Sequence, residues 1–129
     1  MKRILTALVL LTGLFGAGGA VWAGDSDPRA EYLKLRKAAG QGDTDAMLKL
    51  AHKLKYGAVG VTRDLVAAHM WENIYYASTD GDFRNIRWIE EKMSRAEIAK
   101  AQERARRCMA SKLKDCEAEP KSWWQKLLD

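Results

Sequence analysis

Apolar residues recur at helical spacing between three breaks rich in glycine and aspartate, Gly40-Gln41-Gly42-Asp43, Gly57-Ala58-Val59-Gly60 and Asp80-Gly81-Asp82. A first helix is predicted from Pro28, a favoured first-turn residue after Asp27, to about Ala39, with Tyr32, Leu35 and Ala39 on one face. A second runs from about Thr44 to Tyr56, where Gly57 stops it. Ala46, Leu50, Ala51 and Leu54 make its buried stripe, and Lys49, Lys53 and Tyr56 fall off it, toward solvent or a partner. The third, about Arg63 to Ala77, carries Leu65, Ala68, Trp71 and Tyr75 on one face and Val66, Met70 and Ile74 on another. A helix apolar on so many sides belongs in the middle of a stack. Asp64 sits well against its dipole.

A fourth helix is predicted from about Phe83 to Lys92. Phe83, Ile86 and Ile89 share a face that continues to Met93, and Trp88 points away from it as a candidate exposed aromatic. The fifth opens with Ser94 and Glu97, a capping box, and buries Ile98, Ala101, Ala105 and Cys108. Glu103 and Arg107 are spaced for an ion pair, and Lys100, Arg104 and Arg107 form a basic stripe that reads as a solvated face. No segment has the alternation of a strand.

The two ends read differently. Met1-Lys2-Arg3, an apolar run from Ile4 to Phe15 and a small-residue region ending Val21-Trp22-Ala23-Gly24 form the pattern of a secretory signal peptide, residues 1–23, cut after Ala23. Ile4 to Ala23 is long enough to span a bilayer as an uncleaved anchor, but Gly13, Gly16, Gly18 and Gly19 and the small-residue end favour cleavage. Export places the product in the periplasm or outside the cell. Residues 117–129 form a C-terminal tail in which Ser122 and Gln125 allow another capping box. Trp123, Trp124, Leu127 and Leu128 lie on one side of a short amphipathic helix there. It is a lid on the end of the stack, or a contact for a membrane or a partner.

Composition narrows the picture. The 129 residues suit one domain, residues 24–116 between leader and tail. Removing Lys2 and Arg3 from the 22 basic residues leaves 20 against 17 acidic ones, a net charge of +3. That is too mild to imply nucleic acid. Cys108 and Cys116 are the only cysteines, and in an oxidising compartment they read as one structural disulfide. Continuous helix would separate their Cα atoms by roughly 12 Å, whereas a disulfide needs less than about 7 Å. The helix must therefore end near Ser111 to Lys114 and the chain turn back. No histidine or third cysteine lies nearby for a metal.

No catalytic set is recognisable. His52 and His69 are the only histidines and lie on different predicted helices, with His69 reading as a packed core residue. Glu90 and Glu91 are adjacent and point apart, and no zinc motif or phosphate loop is present. The sequence therefore predicts no enzyme, cofactor or metal.

Ala46, Leu50 and Ala51, then Gly57, Gly60 and Val61, then Asp64, Ala68 and Trp71 resemble, in order and spacing, a Sel-1-like repeat, a helix pair related to tetratricopeptide repeats. Here alanine stands where glycine is usual, and the loop is one residue longer. Lys37 to Asp43 resembles the end of a preceding repeat, and Ala68 to Asn73, Asp80 to Asp82 and Met93 to Gln102 resemble exported bacterial members. The likeness covers about Ala30 to Cys108, with one complete repeat; Ile86, Arg87 and Trp88 depart from the pattern of the next. The resemblance implies an all-α fold, a short right-handed α-solenoid of stacked antiparallel helix pairs, that serves protein–protein contact. It implies an envelope adaptor or, in the sharper form, an immunity protein that inhibits a secreted toxin of the lipase type. In such folds the first helix of each pair lines a groove, which by position makes Lys49, His52, Lys53 and Tyr56, with Asn85 and Trp88, the expected partner contacts. A membrane-surface role through Trp123 and Trp124 is the third class.

Overall fold

A computed structural model describes residues 27–116. The expected signal peptide and the tail with Trp123 and Trp124 lie outside the described residues. Within them the chain is all-helical: α1 Pro28–Gly40, α2 Thr44–Tyr56, α3 Leu65–Ser78, α4 Arg84–Glu90 and α5 Arg95–Ala110. Four starts are set by side chains that accept a backbone N–H left over at a helix N-terminus. Asp27 accepts from Arg29, Asp43 from Ala46, Asp64 from Ala67 and Ser94 from Glu97. Each such cap is worth about 1 kcal/mol. The Ser94–Glu97 capping box forms in both directions, and the Ser94 backbone N–H holds the Glu97 carboxyl below its ordinary range. Helix α3 starts later than the sequence predicts because Asp64 is the cap rather than a helical residue. Helix α4 is shorter at both ends, and Phe83 precedes it with no capping hydrogen bond.

The α2–α3 connection is fixed by backbone geometry. Gly57 (φ 76°) turns the chain out of α2, Ala58 and Val61 exchange two backbone hydrogen bonds, and the Asp64 N–H returns to the Leu54 carbonyl at 2.9 Å. Helix α3 is the central element and packs against α2, α4 and α5, while α1 packs on α2. Met47, Leu50, Ala51 and Leu54 of α2 meet Ala68, Met70, Trp71 and Ile74 of α3, with Ile89 of α4 and Ala105 and Cys108 of α5 closing the core. Each large side chain buried there contributes about 1.5–3 kcal/mol.

Three sequence expectations need correction. Phe83 is 61% exposed and stacks on the Tyr76 ring at 4.8 Å instead of joining Ile86 and Ile89 in the core. Glu103 pairs with Arg106 at 2.7 Å, not with Arg107. Arg104 is buried, so the basic stripe on α5 is not a uniformly solvated face.

After α5 the chain turns back as the cysteine geometry requires. The Leu113 N–H bonds to the Cys108 carbonyl at 2.8 Å, Lys112 and Leu113 take positive φ values of 54° and 66°, and the Cα atoms of Cys108 and Cys116 come to 4.2 Å within a disulfide. Two left-handed residues that are not glycine cost about 1–2 kcal/mol each, and closure of so short a loop contributes about 2–3 kcal/mol.

Two outcomes are expected in chemical denaturation. Trp71→Ala, at a site 1% exposed, lowers unfolding free energy by about 3–5 kcal/mol. Replacing both Cys108 and Cys116 by serine lowers it by about 2–3 kcal/mol, with loss of amide-exchange protection concentrated at the end of α5.

Candidate binding face

The C-terminal turn of α2 meets α4 through aromatic rings. Tyr56, the last residue of α2, lies 5.5 Å from Trp88 of α4 between ring centroids, and His52, one turn earlier, lies 4.8 Å from Tyr56. The three rings form a continuous tilted run, a spacing that favours aromatic contacts. His52 is exposed and Tyr56 is 53% exposed. Trp88, expected on the surface, is instead half-buried against the core. The cause is that Tyr56 and two lysines cover it.

The ammonium of Lys55 sits 4.3 Å from the Trp88 centroid and 5.1 Å from that of Tyr56, and that of Lys92 sits 4.3 Å from Trp88. The Trp88 ring thus serves two cations, each contact worth about 0.5–2 kcal/mol. Lys55 was not singled out from sequence, yet it is 5% exposed. The available signal was register: Lys55 follows Met47 and Ala51 at intervals of four, on the stripe that enters the core. Its aliphatic stem packs there while its charge remains under the aromatic layer.

The six residues expected to contact a partner separate into groups. His52, Tyr56 and Trp88 are brought together. Lys49 is exposed one turn before His52 and Lys53. Lys53 is tied to Glu31 of α1 at 3.3 Å. Asn85 is exposed on α4, and its side chain hydrogen-bonds inward to the Tyr76 hydroxyl.

Behind this face lie two buried polar sets. The fully buried His69 accepts at Nδ1 from the Asn73 amide at 2.6 Å, and the same amide nitrogen donates to the His69 carbonyl at 3.1 Å, which fixes its orientation. Nε2 then carries the ring proton and donates to Glu90 at 2.8 Å. Both ring nitrogens are engaged, so neither is available to a substrate. Glu72, also on α3, is 2% exposed. Burial raises its pKa above the ordinary value of 4.5, against the lowering effects of the Tyr76 hydroxyl and the Lys55 charge. The Tyr76 hydroxyl is pushed up to about 12 by burial and by the adjoining Glu72 carboxylate. Among the described residues no cluster of three metal-ligating side chains exists, and no helix is long and apolar enough to cross a membrane.

The Glu72 shift has a defined pH signature. A carboxyl whose folded pKa exceeds its unfolded one binds its proton more tightly when folded, so stability is greatest below pH 4.5 and falls as pH rises through the raised value. Denaturant titrations in steps from pH 4 upward should show this fall in the wild type and a flatter profile in Glu72→Gln, whose carbonyl still accepts from Tyr76. Identical profiles would refute the assignment. At the alkaline end, the Tyr76 contribution is lost between the ordinary value of 10.0 and about 12. The chain matches no family model, no curated protein and no solved structure, so the reading of this face stands on its geometry.

Proposed function

We propose that this chain is an exported, non-enzymatic module that binds another protein through the His52–Tyr56–Trp88 face. One observation carries the reading: Tyr56 is 53% exposed at the centre of an aromatic run drawn from two helices and fixed by flanking lysines. Interfaces take most of their energy from a few such aromatic anchors, and an anchor held in place before binding loses little entropy on association.

On this reading the helices form a short right-handed α-solenoid of the Sel-1-like kind, with α2–α3 and α4–α5 as successive pairs. Stacked pairs require their second helices to pack together, as α3 and α5 do, and their first helices to adjoin, as α2 and α4 do through Tyr56 and Trp88. The engagement of both His69 nitrogens supports a role without catalysis. The leader expected over residues 1–23 places the module in the periplasm or outside the cell. Its small size then suits an immunity protein that occupies a secreted toxin, such as a lipase-type effector.

The test is an affinity capture from the envelope fraction. The chain is expressed with its own N-terminal segment and a C-terminal tag, beside Tyr56→Ala and Trp88→Ala versions checked for folding by circular dichroism. The recovered protein should begin at Gly24. A single secreted toxin should be captured by the wild type, with each variant weakening capture by about 2 kcal/mol or more, as expected for an anchor. Resident envelope proteins in its place would make the protein an adaptor, and capture unaffected by either variant would refute the face.

A further inference from the structure

We infer that the groove between α1 and the turn after α5 is the docking site of the chain's own tail, residues 117–129, with Trp123 or Trp124 set against Leu33. The groove is separate from the candidate binding face, since none of His52, Tyr56 and Trp88 lines it. Either reading can therefore fail without the other.

The groove follows from how α1 packs. Tyr32, Leu35, Ala38 and Ala39 face the core. Leu33, Arg36, Lys37 and Gly40, at intervals of three and four, form a second stripe on another side of the helix. This stripe is one wall of an open groove of about 440 Å³, and Leu113 to Cys116 are the opposite wall. Trp71 of α3, 1% exposed, lies at its floor. The walls converge at the end of α1, where a Cβ on Gly40 would lie 3.7 Å from the Leu113 carbonyl oxygen. Leu33 remains 50% exposed, a large apolar side chain beside a ready-made cleft.

Position selects the occupant. Lys114, Asp115 and Cys116 line the groove, and the disulfide to Cys108 holds Cys116 against the core, so residue 117 starts at the groove itself. Trp123 is seven residues further on, a reach of up to about 25 Å. Leu33 lies only about 10 Å along α1 from Gly40. A segment tethered by so few residues faces its site at an effective concentration in the millimolar range, on the order of what a weak contact needs. The second exposed apolar groove, where Ala77, Phe83 and Met109 meet between α3 and α5, has no lining residue beyond Met109, so the tail does not start there.

The chemistry agrees. The sequence pattern puts Trp123, Trp124, Leu127 and Leu128 on one side of a short helix. That side matches Leu33 and the aliphatic stems of Arg36 and Lys37. An indole face over either cation gains a further contact. Glu117 and Glu119 lead into a groove whose lining carries Arg36, Lys37 and Lys114 against one acid, Asp115.

The chain, expressed with its own N-terminal segment, is tested by NMR. Nuclear Overhauser contacts should connect an indole ring of Trp123 or Trp124 to the Leu33 methyl groups, with amide-exchange protection over residues 123–128. Leu33→Asp, at a half-exposed site that leaves circular dichroism unchanged, should abolish the contacts and lower that protection by about tenfold, roughly the loss of one leucine contact. Phe83→Asp, in the second groove, should change neither. Contacts from the tail to Phe83 or Met109 instead, lost in Phe83→Asp, would overturn the inference. So would contacts to Leu33 that arise only between labelled and unlabelled copies of the chain, which would make the groove a dimer interface. An unprotected tail without contacts to Leu33 overturns it as well, and broadening of the tail signals by phosphatidylglycerol vesicles would then assign the tryptophans to a membrane surface.

Discussion

Helix α3 sets the terms for the other helices. Ala67, Ala68, His69, Met70, Trp71, Glu72, Ile74 and Tyr76 are all buried, which leaves only a strip through Val66, Asn73 and Ala77 less covered. A helix of this kind is soluble only when enclosed, so α2, α4 and α5 must close around it. The short loops at Gly57–Gly60 and Gly81 follow from that requirement. At Gly81 a side chain would bring a Cβ to 2.8 Å from the Tyr76 ring, so the chain passes close to α3 only because no side chain is present.

Enclosure also buries the ionisable groups of His69, Glu72 and Tyr76 on α3, and the partners of the first two specify how the neighbours dock. His69 needs a donor and an acceptor and takes them from Asn73 on its own helix and Glu90 on α4. Glu72 takes the Tyr76 hydroxyl and the nearby charge of Lys55 from α2. A buried polar group without a partner costs about 1–3 kcal/mol, so these contacts discourage rotation of α4 or α2 about α3. The hydrophobic surface alone would tolerate such rotations.

Lys55 connects this interior to the candidate face. Its ammonium is beneath Tyr56 and Trp88 and within electrostatic reach of Glu72, so packing of the core and presentation of the aromatic run are parts of one arrangement. Lys92 completes it from the turn that follows α4. The face is rigid for the same reason the core is ordered, which is the property a pre-formed binding surface needs.

Much of this protein was legible in its sequence because the signals were local. Helical spacing, Pro28, the Ser94–Glu97 capping box and the breaks rich in glycine and aspartate located the five helices of the described residues, and the limits of disulfide geometry placed the turn after α5. The all-round apolar character of α3 predicted its central position. The face was legible only in part: His52, Tyr56 and Trp88 could be named from position, but not that they touch. Their contact depends on how α4 docks against α2, a relation between segments more than thirty residues apart that no local pattern carries. For the same reason Trp88 seemed to belong on the surface and Phe83 in the core, and Lys55 passed unnoticed. Helical periodicity tells which side of a helix is apolar, while only tertiary packing decides which neighbour covers it and which charge is enclosed with it.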